Sequence, residues 1–341
     1  MRRRTQRLGG KRQLIYIVVI VILLAGHYLY DNYIAPHQDK ISAVVEAVAG
    51  NGVPFPDSSA PDIATSGISS ENSAPNSAPA AKPYRSGWAE LPSATKNKDH
   101  YTAYHTSNGR RNYSVCFSRK HRCPVWVAAP MHRSYKGSIK RSDNYAFDPK
   151  LPVEIQPLLK RSYGEYTRGH ILGSAERTAT QELNDQVFYV TNIAPQLREG
   201  FNARGGVWNN LESFTDRHIF RDTHYFVTGA IFDDYTDHSG REVKASTTIN
   251  KNDGKSVAVP TAFYKVLLRT KSGSSGKSVY ECSASELKCA AFIVGHYSAS
   301  RRTTKSDMMS VKELERLTGL NFFAGVKNAP KSQAVAEEWG L

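Results

Sequence analysis

Between Tyr163 and Glu212 the chain carries its highest density of groups able to act on a phosphate. Arg168-Gly169-His170 comes first, then Asn192 in a polar, proline-bounded Thr-Asn-Ile-Ala-Pro-Gln loop, then Asn202, Trp208 and Glu212. Hydrolysing a phosphodiester near neutral pH requires three things. A water must lose a proton, charge on the phosphate must be stabilised, and the leaving oxygen must be assisted. A neutral imidazole suits the first task. A divalent cation together with arginines serves the other two. Magnesium keeps most of its waters and asks the protein for only one or two oxygens. A site of this kind therefore shows few ligands in sequence, and this stretch reads as one.

These groups need elements to hold them. Gly169 allows a tight turn that sets Arg168 beside His170 on a loop. Asn192 closes the apolar run QVFYV (186–190), which reads as a strand. A helix is expected from about Gly205 through Phe220, and it places Trp208 and Glu212, four apart, on one face. There the carboxylate stands within two turns of the helix start, where it can hold the waters of a metal ion. NYSVCFS and CPVWVAAPM read as a hairpin, and HYFVTGAIF, TAFYKVLLR and CAAFIVGHY as further strands. Ser310-Val-Lys-Glu313 fits a capping box that opens a second helix, with Gly319 as its stop. Strands adjoin strands rather than alternating with helices, so the fold class is α+β with a central antiparallel sheet flanked by helices.

The chain has 341 residues, 40% of them hydrophobic, and a formal charge of +14. Six basic residues (Arg2, Arg3, Arg4, Arg7, Lys11, Arg12) precede position 13 with no acid among them, which leaves +8 on the remainder. That balance suits a polyanionic partner. Residues 1–13 form a basic segment and 14–30 an apolar one, in the order of a transmembrane signal anchor or a signal peptide. No small-x-small site ends the apolar run cleanly, which favours an uncleaved anchor in an inner membrane with the body on the extracytoplasmic (periplasmic) side; cleavage would make the protein secreted. Residues 36–49 suit a short amphipathic helix. Residues 31–86 include a Pro/Ser/Ala-rich tether, 87–326 form the catalytic body, and 327–341 read as a frayed tail. Cys116/Cys123 and Cys282/Cys289 share one spacing. They suggest two local disulfides and an oxidising compartment, against the alternative of four reduced core thiols.

TRGHILGSAER, DQVFYVTNIAPQ and FNARGGVWNNLE, in that order and spacing, resemble the DNA/RNA non-specific endonucleases of the ββα-metal (His-Me finger) class. That family's pattern is Asp-Arg-Gly-His, Asn-Ile-x-Pro-Gln and Asn-x-Gly-x-Trp-x-x-Leu-Glu. The resemblance spans about 87–326 and implies a ββα-metal nuclease fold. It implies His170 as general base, Asn202 as the direct protein ligand of Mg2+ (or of Mn2+ or another divalent cation), and Glu212 as the acid that orders the metal's waters. It further implies that Arg168 and Arg141 contact phosphate, Arg141 from another strand, and that Asn192 shapes the site. The implied reaction cuts DNA and RNA through backbone contacts and leaves 5′-phosphates. Two departures stand out. Thr167 occupies the place of the family's Asp, with Glu165 two residues earlier as a partial substitute. Asn202 lies six residues before Trp208 rather than four, with Arg204 at the four-step position, which implies a two-residue insertion within Ala-Arg-Gly-Gly. The alternative is a catalytically weak or inactive nucleic-acid-binding member of the same fold.

Overall fold

A computed structural model describes residues 87–94 and 96–341. The expected anchor at 14–30, the 36–49 helix and the tether lie outside the described residues. Thirteen strands are present among those described: β1 (His100–Ser107), β2 (Arg110–Ser118), β3 (Cys123–Met131), β4 (Thr167–His170), β5 (Ile193–Gln196), β6 (His224–Ile231), β7 (Tyr235–Thr236), β8 (Glu242–Val243), β9 (Ser246–Ile249), β10 (Ser256–Val259), β11 (Ala262–Thr270), β12 (Leu287–Gly295) and β13 (Met308–Met309). The α-helices are α1 (Gln181–Gln186), α2 (Val207–Asp216) and α3 (Val311–Thr318).

Seven strands form one antiparallel sheet in the order β1-β2-β3-β6-β11-β12-β13. Both its faces are covered, which is why TAFYKVLLR and CAAFIVG read as continuous apolar runs. Alternation assigns each side chain to one layer. Phe263 and Leu267 of β11 pack in the first layer with Trp208, Leu211 and Phe214 of α2 and Ile193 of β5. Tyr264, Val266 and Leu268 pack in the second with Val311 and Leu314 of α3. The site belongs to the first layer. Ser310 caps α3 by accepting from Glu313 N, and Gly319 ends it at φ 68°, as the capping signature requires.

Five expectations need correction. Arg168-Gly169-His170 is not a tight turn on a loop but part of strand β4, paired with β5. The run 186–192 is not a strand: α1 ends at Gln186 and a 3-10 turn spans Val190–Asn192, so the strand is the four-residue β5 that follows. Burial of Val187, Phe188 and Val190 in the first layer, not pairing, explains their apolarity. The helix expected over 205–220 is limited to Val207–Asp216. The four cysteines are free thiols. Cys116, opposite Trp126, packs in the second layer and Cys123, opposite Ser118, in the first, with a register shift of the β2–β3 pair at Cys116/Phe117. Residues 327–341 are not frayed. Trp339 is buried, with its ring 5.2 Å from that of His218 and Lys288 Nζ 4.5 Å from its centroid, while Lys271 pairs with Glu338 at 2.7 Å.

Candidate active site

β4 and β5 pair antiparallel, with Thr167 opposite Gln196 and His170 opposite Ile193. Gly169 is required there, because a Cβ at that position would overlap the Gln196 side chain. Gln196 is fully buried, yet both polar atoms of its amide lack partners among the described residues. Thr167 does not present its hydroxyl to the site; Oγ1 donates to Gln196 O at 3.0 Å. Glu165 stands exposed on the bend before β4.

His170 ends β4. Its ring packs edge-on to Phe188 at 4.7 Å, and the backbone of Arg168 hydrogen-bonds to it. Nε2 is buried without a partner. Burial lowers the imidazole's pKa to about 3, and the positive charges of Arg141 and Arg168 push in the same direction. The ring is therefore neutral at pH 7, with a free nitrogen.

Arg141 lies in an irregular loop, not on the strand the resemblance implied. Its Nε donates to Asp143 Oδ1 at 2.7 Å and its Nη2 to Tyr145 Oη at 3.1 Å. Arg168 stacks on the Tyr145 ring at 3.7 Å, and its Nη1 donates to the carbonyls of Leu159 and Lys160. Asn192 is fully buried, and its side chain is spent on the scaffold. Nδ2 donates to Leu172 O and Val187 O, and Oδ1 accepts from Leu172 N. It fixes the segment that leaves His170 and offers no atom to a substrate, which corrects its place among the catalytic groups.

Glu212 reaches the same region from α2. A methyl group added at Gly173, three residues after His170, would sit 3.7 Å from Glu212 Oε1 and 3.6 Å from Glu176 Oε2. Desolvation raises the Glu212 pKa to about 7; Lys265 opposes the rise, while Glu176 and Asp216 add to it. Trp208, Glu212 and Asp216 form one i, i+4 stripe on α2. Lys265, buried on β11, answers this stripe. Its Nζ lies 3.6 Å from Glu176 Oε1 and 5.5 Å from the Trp208 ring centroid. Lys136 pairs with Asp216 at 3.1 Å. Neither Lys265 nor Glu176 was singled out in the sequence. A lysine in the middle of the apolar run TAFYKVLLR was the available signal, since a buried lysine needs a charged partner.

Asn202 is half-buried just before α2, and its side chain makes no hydrogen bond among the described residues. Asn209 and Asn210 are committed instead: Asn209 Oδ1 accepts from Gly205 N, and Asn210 Nδ2 donates to Gly205 O and Arg301 O. Gly206 N donates to Ala203 O at 2.8 Å, closing Ala203–Gly206 as a turn with Gly205 at φ 85°. That turn falls in the Ala-Arg-Gly-Gly stretch where the two-residue insertion is expected. The unsatisfied Gln196 amide, the Asn202 amide without a hydrogen bond and the high-pKa Glu212 carboxylate are oxygen donors of the kind that a hydrated divalent cation takes, directly or through its waters.

A separate β4–β5 ladder ending in a neutral histidine with a free Nε2, two arginines and a helix-borne acid are groups of the kind that phosphodiester hydrolysis uses. The fold is shared with the crystal structure of an EndoG/EndoGI complex at a TM-score of 0.52 and 24% identity, covering 66% of this chain and 86% of that one. Residues 93–329 match the model of the DNA/RNA non-specific endonucleases, and the chain belongs to that family. Nuclease C1 of Cunninghamella echinulata var. echinulata is 29% identical over 222 residues, 63% of this chain and 81% of the relative. A nuclease of Nostoc sp. is 28% identical over 221 residues, 64% of this chain and 73% of the relative. The protein is accordingly a metal-dependent endonuclease.

Proposed function

We propose that this endonuclease is Mg2+-dependent and sugar-non-specific, hydrolysing DNA and RNA to 5′-phosphate products. The observation that carries the reading is His170: a buried, neutral imidazole whose Nε2 has no partner, held between two arginines. Nε2 accepts the proton of the attacking water. Arg141 and Arg168 bind the phosphate and balance the charge that builds on it. Asn202 would hold the cation directly and Glu212 through water; Mn2+ or another divalent ion can serve in the same place. The cation, when bound, supplies Lewis-acid stabilisation of the phosphate and the leaving oxygen. Burial of Gly169, His170 and Gln196 keeps bulk water from the base. All these groups address the backbone rather than the bases, which supports activity on both sugars.

Thr167 favours a second reading, a nucleic-acid-binding protein with weak turnover, because its hydroxyl is tied to Gln196 O where the family places a carboxylate. We also propose that residues 14–30 tether the enzyme to the inner membrane with the catalytic body on the extracytoplasmic side. The net charge of +14 supports a polyanionic substrate.

Incubation of the purified protein with supercoiled plasmid and with structured RNA tests the activity. Both substrates should be cut with Mg2+, EDTA should stop the reaction, and the ends should be ligatable 5′-phosphates. Tight binding with no cutting under any divalent ion would select the second reading. Recovery of protein lacking residues 1–30 from culture medium would refute the tether.

A further inference from the structure

Tyr145 belongs to none of the groups assigned so far, yet both arginines of the site meet on it. Arg168 stacks its guanidinium 3.7 Å from the ring centroid, and Arg141 donates from Nη2 to Oη at 3.1 Å. The ring packs edge-on against Phe188 at 5.1 Å and lies 5.9 Å from the His170 ring. Phe188 in turn carries Arg141 at 4.8 Å and His170 at 4.7 Å. The backbone fixes this frame: Ala146 N donates to Phe188 O at 3.3 Å and Val190 N to Ala146 O at 2.9 Å.

We infer that Tyr145 is the positioning residue for both phosphate-directed arginines, a clamp whose face holds Arg168 and whose hydroxyl holds Arg141. This rests on the assignment of the two arginines to the phosphate. An arginine side chain is rich in rotamers, and holding it in place before substrate arrives removes that ordering from the reaction. Two like charges beside a neutral histidine also repel each other. An electron-rich ring face and a phenolic oxygen both accept guanidinium without adding a competing anion. Asp143 binds Arg141 too, but from an exposed position and as a charge that a phosphate can displace. With these contacts made, Arg141 Nη1 and Arg168 Nε and Nη2 remain without a hydrogen-bond partner among the described residues and are available to the phosphate.

A double-mutant cycle under single-turnover conditions, with the full-length protein, plasmid DNA and Mg2+, tests the clamp. Tyr145→Phe keeps the stack and removes only Oη. It should lower the rate at saturating DNA by about tenfold and change the half-saturating DNA concentration by less than about twofold. In an Arg141→Ala background the same change should cost less than about twofold. Tyr145→Leu should cost more than Tyr145→Phe, and the excess should vanish in Arg168→Ala. If Tyr145→Leu fails to fold, the Phe cycle decides alone. Full activity in Tyr145→Phe alongside a loss in Arg141→Ala overturns the clamp but keeps the arginine. An equal loss from Tyr145→Phe with and without Arg141 also overturns it. Full activity in Arg141→Ala removes the arginine assignment itself, and the clamp with it.

Discussion

His170 is buried and Glu212 half-buried, and desolvation drives both toward the neutral form, but their surroundings make this mean opposite things. Arg141 and Arg168 flank His170 and add to desolvation, so the imidazole stays unprotonated, its working state as a base. Glu212 stands among Glu176 and Asp216 with Lys265 as the main counterweight, and its pKa of about 7 leaves it only partly ionised at neutral pH. The histidine is finished before any ligand arrives, whereas the glutamate is incomplete until a cation offsets the acids around it. On the proposed function, one site thus contains a preformed base and an acceptor that waits for charge.

The most drastic way to break the contrast is to remove the base. His170→Ala should lower the single-turnover rate by roughly 10³-fold with DNA binding retained, measured by plasmid nicking and a filter-binding assay. Glu212→Gln should lower the rate by about 10²-fold while stabilising the cation-free protein. The sign follows from the raised pKa. Relative to an unfolded carboxylate, the folded state disfavours ionised Glu212, so the penalty grows as pH rises from about 4.5 and is complete above about 7. Thermal unfolding in EDTA should show the variant's advantage, about 2 kcal/mol, at pH 8 and almost none at pH 4.5. Lys265→Met should sharpen the acidic side of the comparison. Loss of the buried ammonium removes the counter-charge to Glu212, and we expect about 3 kcal/mol of destabilisation at pH 8 and less at pH 5, where Glu212 takes up a proton. The smallest effect belongs to Thr167→Val, which removes one hairpin hydrogen bond. It should cost about 1 kcal/mol and leave the rate within about twofold, as seen in denaturant melts and nicking assays.

Sequence and structure agree where a local rule decides the outcome. Ser310, Glu313 and Gly319 announce the limits of α3 because capping is local chemistry. The long strands of the central sheet announce themselves because burial on both faces demands unbroken apolar runs. His170, Arg168 and Glu212 could be singled out because their types and order match phosphodiester chemistry. What stayed hidden depends on contacts between distant segments. Val187–Val190 are apolar for packing, not pairing, so the run looked like a strand. Cys116 and Cys123 look bridgeable by spacing, yet they pack in different layers, across an irregularity in the β2–β3 pairing that spacing does not reveal. Trp339 is buried against His218, His224 of β6 and Phe292 of β12, all far from it in sequence. Lys265, Tyr145 and Gln196 sit in plain view within segments that were read, but their importance appears only once Glu176, the two arginines and Gly169 are brought against them. The loop from Asn202 to Trp208 shows both kinds of signal: its extra length was countable, while the turn within it, with Gly205 at φ 85°, belongs to the fold.

The central claim is that cleavage runs on an imidazole kept neutral by burial and two arginines. An NMR titration of His170 in the cation-free protein, assigned by comparison with His170→Ala, tests it most directly. The account predicts a ring that stays neutral from pH 8 down to about pH 5. A midpoint near the ordinary histidine value of about 6.5 would contradict it.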